Sequence, residues 1–248
     1  MSRIRDYRTV VQRLRALPRR DWRVRVAGEV WGYPVFTVRR VVVRNGPLVF
    51  LTGGMHGEEP AGVEGVLRWL ERGPWRAHRV NWLIIPCINP YGWERNRRTN
   101  AQRRDINRHF RQRDNTPEAE LIRRCVAGKR FRFSMEFHED VDASGYYLYE
   151  AHRHGPLIGE KVIRAVRGLV PINRDRLIDG QEASAVGLIR RALDERSMRQ
   201  RRRWPMAYQL YLQHTDQIFG SETPITVPLA KRVEAHCRAL ATVLENAA

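Results

Sequence analysis

Apolar positions recur at helical spacing over residues 3–17, at Ile4, Tyr7, Val11 and Leu14, which predicts an opening amphipathic helix. Residues 35–43 then give two short β-rich runs, broken by Arg39-Arg40. Asn45-Gly46 is a strong turn signal. Leu48-Val49-Phe50-Leu51 follows as a buried strand and ends at Gly53-Gly54, where the backbone must turn sharply or approach another group closely. Pro60 suits the first turn of a helix, whose apolar stripe is Val63, Val66, Leu67 and Leu70. The continuous apolar run over 80–88 suits a central strand. Thr116-Pro117 reads as a cap and first residue of a helix reaching about Val126. Residues 131–137 alternate like a strand, 157–170 and 229–244 read as helices, and Ile218-Phe219 is a short strand just before Glu222.

Strands alternating with helices imply an α/β fold: a central mixed, largely parallel sheet flanked by helices, with functional loops at the strand ends. No repeat or low-complexity linker divides the chain, so residues 1–248 read as a single domain. A chain of this length buries roughly 70–75% of its unfolded surface. With 42% hydrophobic residues and seven Trp, disorder is excluded.

The cysteines, Cys87, Cys125 and Cys237, form no C-x-x-C pair, which argues against a disulfide framework or a thiolate zinc site. The N-terminal residues show no apolar signal core, and no run approaches the roughly 20 apolar residues of a membrane span. The expectation is a cytoplasmic protein without membrane association. Net charge is +18, from 45 Lys+Arg against 27 Asp+Glu. That excess suits an acidic substrate or a polyanion. It is spread along the chain, with Arg199-Gln200-Arg201-Arg202-Arg203 as its densest run, so nucleic-acid binding is not the expected main function.

Candidate chemistry gathers at predicted strand ends. In Gly53-Gly54-Met55-His56-Gly57-Glu58-Glu59-Pro60, His56 and Glu59 are three apart where a loop enters a helix. An imidazole and a carboxylate so placed can converge on one ion, or serve as a capping acid beside a surface histidine. Asn89-Pro90-Tyr91-Gly92-Trp93 leads to Arg98-Thr99-Asn100 and Asp105-Ile106-Asn107-Arg108. Arginine there offers planar, bidentate recognition of carboxylates; the bland reading is a solvated loop. His138, in Ser134-Met135-Glu136-Phe137-His138-Glu139-Asp140, leaves a buried strand and suits a third ligand or a satisfied core histidine. Glu139 and Asp140 could support it or be solvated. Glu222 stands alone in Phe219-Gly220-Ser221-Glu222-Thr223-Pro224. His152 and His154 form an H-x-H pair, read as ordinary surface or core residues together with His78, His109, His214 and His236.

Together these clusters resemble the zinc carboxypeptidase family: an H-x-x-E pair, an R-x-N stretch leading into D-x-N-R, a distant strand-end His and a late Glu, in that order, over roughly residues 28–228. The likeness is nearest to small bacterial murein peptide amidases. The aspartoacylase and succinylglutamate desuccinylase branch is more distant, because the Asn-Pro-x-Gly element favours the peptidase side. The resemblance implies one Zn2+ per chain held by His56, Glu59 and His138, with a position left open for water. It implies Glu222 as general base, Arg98 as oxyanion stabiliser, Asn107 and Arg108 as holders of a substrate carboxylate, and Asp105 as partner of the far nitrogen of His56.

Two departures stand out. Arg103-Arg104 occupy positions where the family often has Gly-Val, and the family's substrate-facing tyrosine has no secure match. Tyr208 and Tyr211 are the candidates, with packing favoured for both.

The expected function is zinc-dependent hydrolysis of an amide or peptide bond next to a substrate carboxylate, with peptidoglycan-type peptides as attractive substrates. An N-acyl amino acid deacylase on the same metal site is the first alternative. A non-enzymatic polyanion or nucleic-acid binder is the second. The oligomeric state is left open.

Overall fold

The computed structural model describes residues 5–111, 116–191 and 193–247. In chain order the elements are α1 (Tyr7–Ala16), β1 (Arg23–Val30), β2 (Tyr33–Arg40), β3 (Leu48–Thr52), α2 (Pro60–Arg72), β4 (Asn81–Ile85), α3 (Pro90–Arg95), α4 (Pro117–Val126), β5 (Phe133–Asp140), β6 (Tyr147–His152) and α5 (Gly159–Val166). They continue with the hairpin β7 (Leu177–Ile178) and β8 (Gln181–Glu182), then β9 (Leu188–Arg190), α6 (Glu195–Gln200), α7 (Met206–Gln213), β10 (Gln217–Pro224) and α8 (Leu229–Asn246).

Eight strands form one sheet in the order β1-β2-β4-β3-β5-β10-β6-β9. β4, β3, β5 and β10 run parallel at its centre, while β1, β2 and β6 supply the antiparallel pairings. This is the α/β class expected from the alternating pattern. Side chains alternate between faces, and the core divides accordingly. Phe133, Met135 and Phe137 of β5 join the cluster that holds α1, α2, α5 and α8. Phe50, Leu83 and Ile218 join the cluster under α4 and α7. Each fully buried aliphatic or aromatic side chain of these clusters contributes roughly 1.5–3 kcal/mol.

Local chemistry explains the boundaries. Thr116 caps α4 by accepting from the Ala119 N–H at 3.2 Å, and Pro117 opens the helix. β4 stops before Pro86, which has no N–H for the ladder. α1 is shorter than its pattern: Tyr7, Val10 and Leu14 are its buried stripe, and Ile4 lies outside the described residues.

β2 corrects the expectation for 35–43. It runs unbroken through Arg39 and Arg40, paired to β1 and β4, with the Arg40 guanidinium 4.7 Å from the Trp75 ring centroid. The Val42 and Val43 N–H groups donate instead to the Asn81 side chain, at 2.7 and 3.1 Å. That diverts the second apolar run into a loop and leaves Val41 73% exposed. β10 is longer than Ile218-Phe219 because its polar residues are satisfied inside. The Ser221 and Thr223 hydroxyls lie 2.9 and 3.3 Å from the two ring nitrogens of buried His236.

Candidate active site

The site forms at the carboxyl ends of the central parallel strands, where α/β sheets ordinarily bind ligands. β3 delivers the first loop. Gly54 adopts a φ of +64°, and a Cβ on Gly57 would lie 2.0 Å from the Gly92 carbonyl carbon, so both positions require glycine. Asn89 joins this loop to the next one. It caps α3 by accepting from the Gly92 N–H at 2.9 Å, and its own N–H donates to the Gly54 carbonyl at 2.8 Å. The Asn-Pro-Tyr-Gly element is thus a scaffold under His56 and Arg98.

Glu59 is the N-cap residue of α2, yet its side chain makes no capping bond. The helix start is held from elsewhere: Glu139 accepts from the Ala61 N–H at 2.5 Å and forms an ion pair with Arg232 of α8. Glu139 therefore works on the α2 and α8 side of the sheet, and the carboxylate of Glu59 is free to turn towards the histidines.

His56 Nδ1 lies 2.6 Å from one Glu59 oxygen, and His138 Nδ1 lies 2.9 Å from the other. The donor atoms of the three residues all fall within 4.8 Å of one another, and all three residues are buried. The far nitrogens face further carboxylates. His56 Nε2 lies 3.1 Å from Asp105, and His138 Nε2 lies 3.3 Å from Glu136. Burial opposes protonation of both imidazoles, but Glu59 and these partners outweigh it and raise both pKa values. Burial likewise opposes ionisation of Glu59, and the two imidazoles reverse that, holding it well below its ordinary range. The arrangement is two imidazoles and a carboxylate gathered around one point and backed by acceptors, a donor set that fits a divalent zinc ion.

Glu222 is the register partner of His138 between β5 and β10, and of Tyr147 between β10 and β6. It lines the same cleft as the three clustered residues. Burial, with Glu59, Asp140 and Asp179 nearby, pushes its pKa up to about 8 against the pull of His138. The Tyr147 hydroxyl donates to Asp140 at 2.8 Å. Above it, the Tyr149 hydroxyl donates to Asp179 in the turn of the β7–β8 hairpin.

The cleft measures about 1030 Å³. Arg98 reaches across its rim, with Nε 3.1 Å from Asp105 and Nη1 3.6 Å from Glu59. Asn107 and Arg108 line the cleft. The Asn107 side-chain oxygen Oδ1 accepts from the Met206 N–H at 2.9 Å, which fixes the start of α7 and leaves the side-chain NH2 for a ligand. Of the two tyrosine candidates, Tyr208 lines the cleft, while Tyr211 packs under the Arg153 guanidinium at 4.5 Å. Arg103 and Arg104 are not cleft residues; Arg104 lies 2.8 Å from His109 Nδ1. Among the described residues, His152 and His154 belong to no metal-ligand cluster.

Sequence reasoning passed over Glu136, Tyr147 and Tyr149. Glu136 had a usable signal, since it sits two residues before His138 and therefore on the same strand face. The tyrosines had none, because their place depends on β6 pairing with β10.

Residues 45–167 match the model of the succinylglutamate desuccinylase/aspartoacylase catalytic domain. No curated protein sequence matches the chain. Among solved structures, a candidate metallopeptidase from Shewanella baltica superposes with a TM-score of 0.80 at 24% identity, over 96% of this chain and 90% of that one. A candidate metallopeptidase from Shewanella amazonensis gives 0.77 at 22% identity, over 95% and 88%. A metallo-carboxypeptidase from Burkholderia cenocepacia gives 0.66 at 17%, over 96% and 67%. The fold is a carboxypeptidase-like α/β fold. The chain is thus similar in fold to metallo-carboxypeptidases, and its central region is similar to the succinylglutamate desuccinylase/aspartoacylase catalytic domain. No described helix is long and apolar enough to cross a membrane.

Proposed function

We propose that the chain is a zinc-dependent hydrolase that cleaves an amide bond next to a substrate carboxylate. The observation that carries this reading is the convergence of His56 Nδ1 and His138 Nδ1 on the two oxygens of Glu59, with Glu222 beside them on the cleft wall. His56, Glu59 and His138 would hold one zinc ion, and Asp105 and Glu136 would orient the two rings. When bound, zinc would polarise the scissile carbonyl and lower the pKa of a water molecule.

The chain's own residues divide the remaining work. Glu222 takes the proton of the attacking water and passes it to the leaving amine. Its raised pKa keeps it basic enough to accept that proton, and the positive charge of a metal nearby would bring the carboxylate form within reach at neutral pH. Arg98 leaves Asp105 and Glu59 to meet the developing oxyanion. Arg108 and the free amide of Asn107 hold the substrate carboxylate, which sets the scissile bond between them and the histidines.

Two substrate classes fit this machinery. The carboxypeptidase-like fold and basic surface favour peptides, including acidic peptidoglycan-type ones. The match of residues 45–167 to a deacylase catalytic domain favours N-acyl amino acids. A panel of both classes, run with zinc-loaded and zinc-stripped protein, tests the reading. Hydrolysis that disappears on stripping and returns with zinc supports it. Undiminished hydrolysis by the stripped protein defeats it. Cleavage confined to acyl amino acids assigns the deacylase.

A further inference from the structure

One focus of the chain's positive charge lies beside the cleft. The basic run at residues 199–203 folds around a separate pocket of about 1100 Å³. Arg111, Arg123, Arg199, Arg202 and Arg203 line it beside Trp204, and no Asp or Glu is among the described residues of its wall.

Several arginines elsewhere in the chain are held in ion pairs. Arg13 pairs with Glu64 and Glu71, Arg153 with Asp216 and Glu195, and Arg190 with Glu150 and Glu160. In the pocket, Arg199 alone has a carboxylate partner, Glu195 at 3.3 Å, among the described residues. One donor of the wall, Arg123 Nη1, is buried without a hydrogen bond among the described residues. Burial depresses the pKa of Arg123, with Glu120 too weak a counterweight. Guanidinium groups that share one pocket with few counter-charges among the described residues repel one another. They gain most from a ligand that neutralises several at once, and their planar forks match the oxygens of phosphate, sulfate or carboxylate.

The pocket and the cleft share one wall. Trp204 donates its N–H to the Arg108 carbonyl and accepts from the Phe110 N–H, both at 3.1 Å. Residues 107 and 108 thus face the cleft, residues 109–111 face the pocket, and Arg203 lines both.

We propose that this pocket is a second binding site, for an oxyanion carrying at least two negative charges. The anion is either an acidic arm of a substrate seated in the cleft or a free ion binding alone.

Calorimetry on the full chain at constant ionic strength tests the proposal, with sulfate and tri-glutamate as probes. Saturable sulfate binding that chloride does not reproduce is expected. Arg202→Gln and Arg123→Gln should each weaken it about tenfold or more, and Arg98→Gln, at the cleft, should leave it unchanged. Arg202 is exposed, so its replacement leaves the core intact. If tri-glutamate binds at least about tenfold tighter than N-acetyl-glutamate, and Arg202→Gln removes that advantage, the anion is an arm of the substrate. Sulfate binding without that advantage marks a free ion. Absence of saturable binding by either probe, or binding that Arg202→Gln and Arg123→Gln leave unchanged, overturns the proposal. The readout is binding, so the result stands apart from whether the chain hydrolyses amides.

Discussion

Glu222 stands directly opposite His138 in the sheet, as its register partner between parallel β5 and β10. The two side chains therefore leave the same face. A slip of one residue would bring Ser221 or Thr223 to the cleft and drive Glu222 into the core against His236. Ser221 and Thr223 both bond that histidine, so the buried side of β10 locks the register that the cleft side needs.

Replacing Glu222 with Gln should lower turnover by about 10²–10⁴-fold, the usual worth of a positioned general base, while zinc content stays at the wild-type level. Steady-state kinetics with a substrate found in the panel, beside elemental analysis, checks both halves.

The same substitution should change how stability depends on pH. In the ion-free protein the Glu222 pKa is about 8, raised from 4.5 by burial first. Between those values the folded state holds a proton that the unfolded state has released, so stability falls as pH rises. Glu222→Gln removes this loss. Its stability relative to wild type should therefore climb from about pH 5 to about pH 8 by at most about 1.4 kcal/mol per unit, then level off. Denaturation of the metal-free proteins across that range measures it, and a constant difference would contradict the assignment.

Asp105 lies 3.1 Å from the far nitrogen of His56 and also pairs with Arg98. Asp105→Asn should weaken zinc binding about 10–100-fold with the fold intact. Competition with a chromogenic chelator reads the constant directly, and an unchanged affinity would remove Asp105 from the metal site.

Glu139 carries a structural expectation. Its carboxylate is wholly buried between the Ala61 N–H and Arg232, itself only 11% exposed. Glu139→Ala should cost about 3–5 kcal/mol, because it strands a buried arginine and uncaps α2. Chemical denaturation gives the figure, and a loss under about 1 kcal/mol would show that the pair is solvated in solution.

The clustering of His56, Glu59 and His138 was legible because its signals are local. His56 and Glu59 lie on one loop-to-helix junction marked by glycines and Pro60, and His138 ends an alternating strand. What the sequence concealed depends on pairing. Arg23–Val26 alternates arginine with valine, a strand signal that went unused, and the rest of β1, Ala27–Val30, is placed by its pairing with β2. Tyr147 and Tyr149 reach the cleft only because β6 pairs antiparallel with β10. The hairpin over the cleft had a signal that went unused. Asp179-Gly180 lies between Leu177-Ile178 and Gln181-Glu182, and both turn residues take positive φ, as a tight hairpin requires. The second apolar run near Val41 misled for the opposite reason, since one buried asparagine, Asn81, outcompetes the sheet for its backbone.

Elemental analysis of purified wild type and of a His138→Ala variant tests the central claim most directly. The expected result is about one zinc per wild-type chain, lost in the variant while its circular dichroism stays native. Wild-type protein that carries no metal and takes up none from added zinc would contradict the assignment of His56, Glu59 and His138 as a metal site.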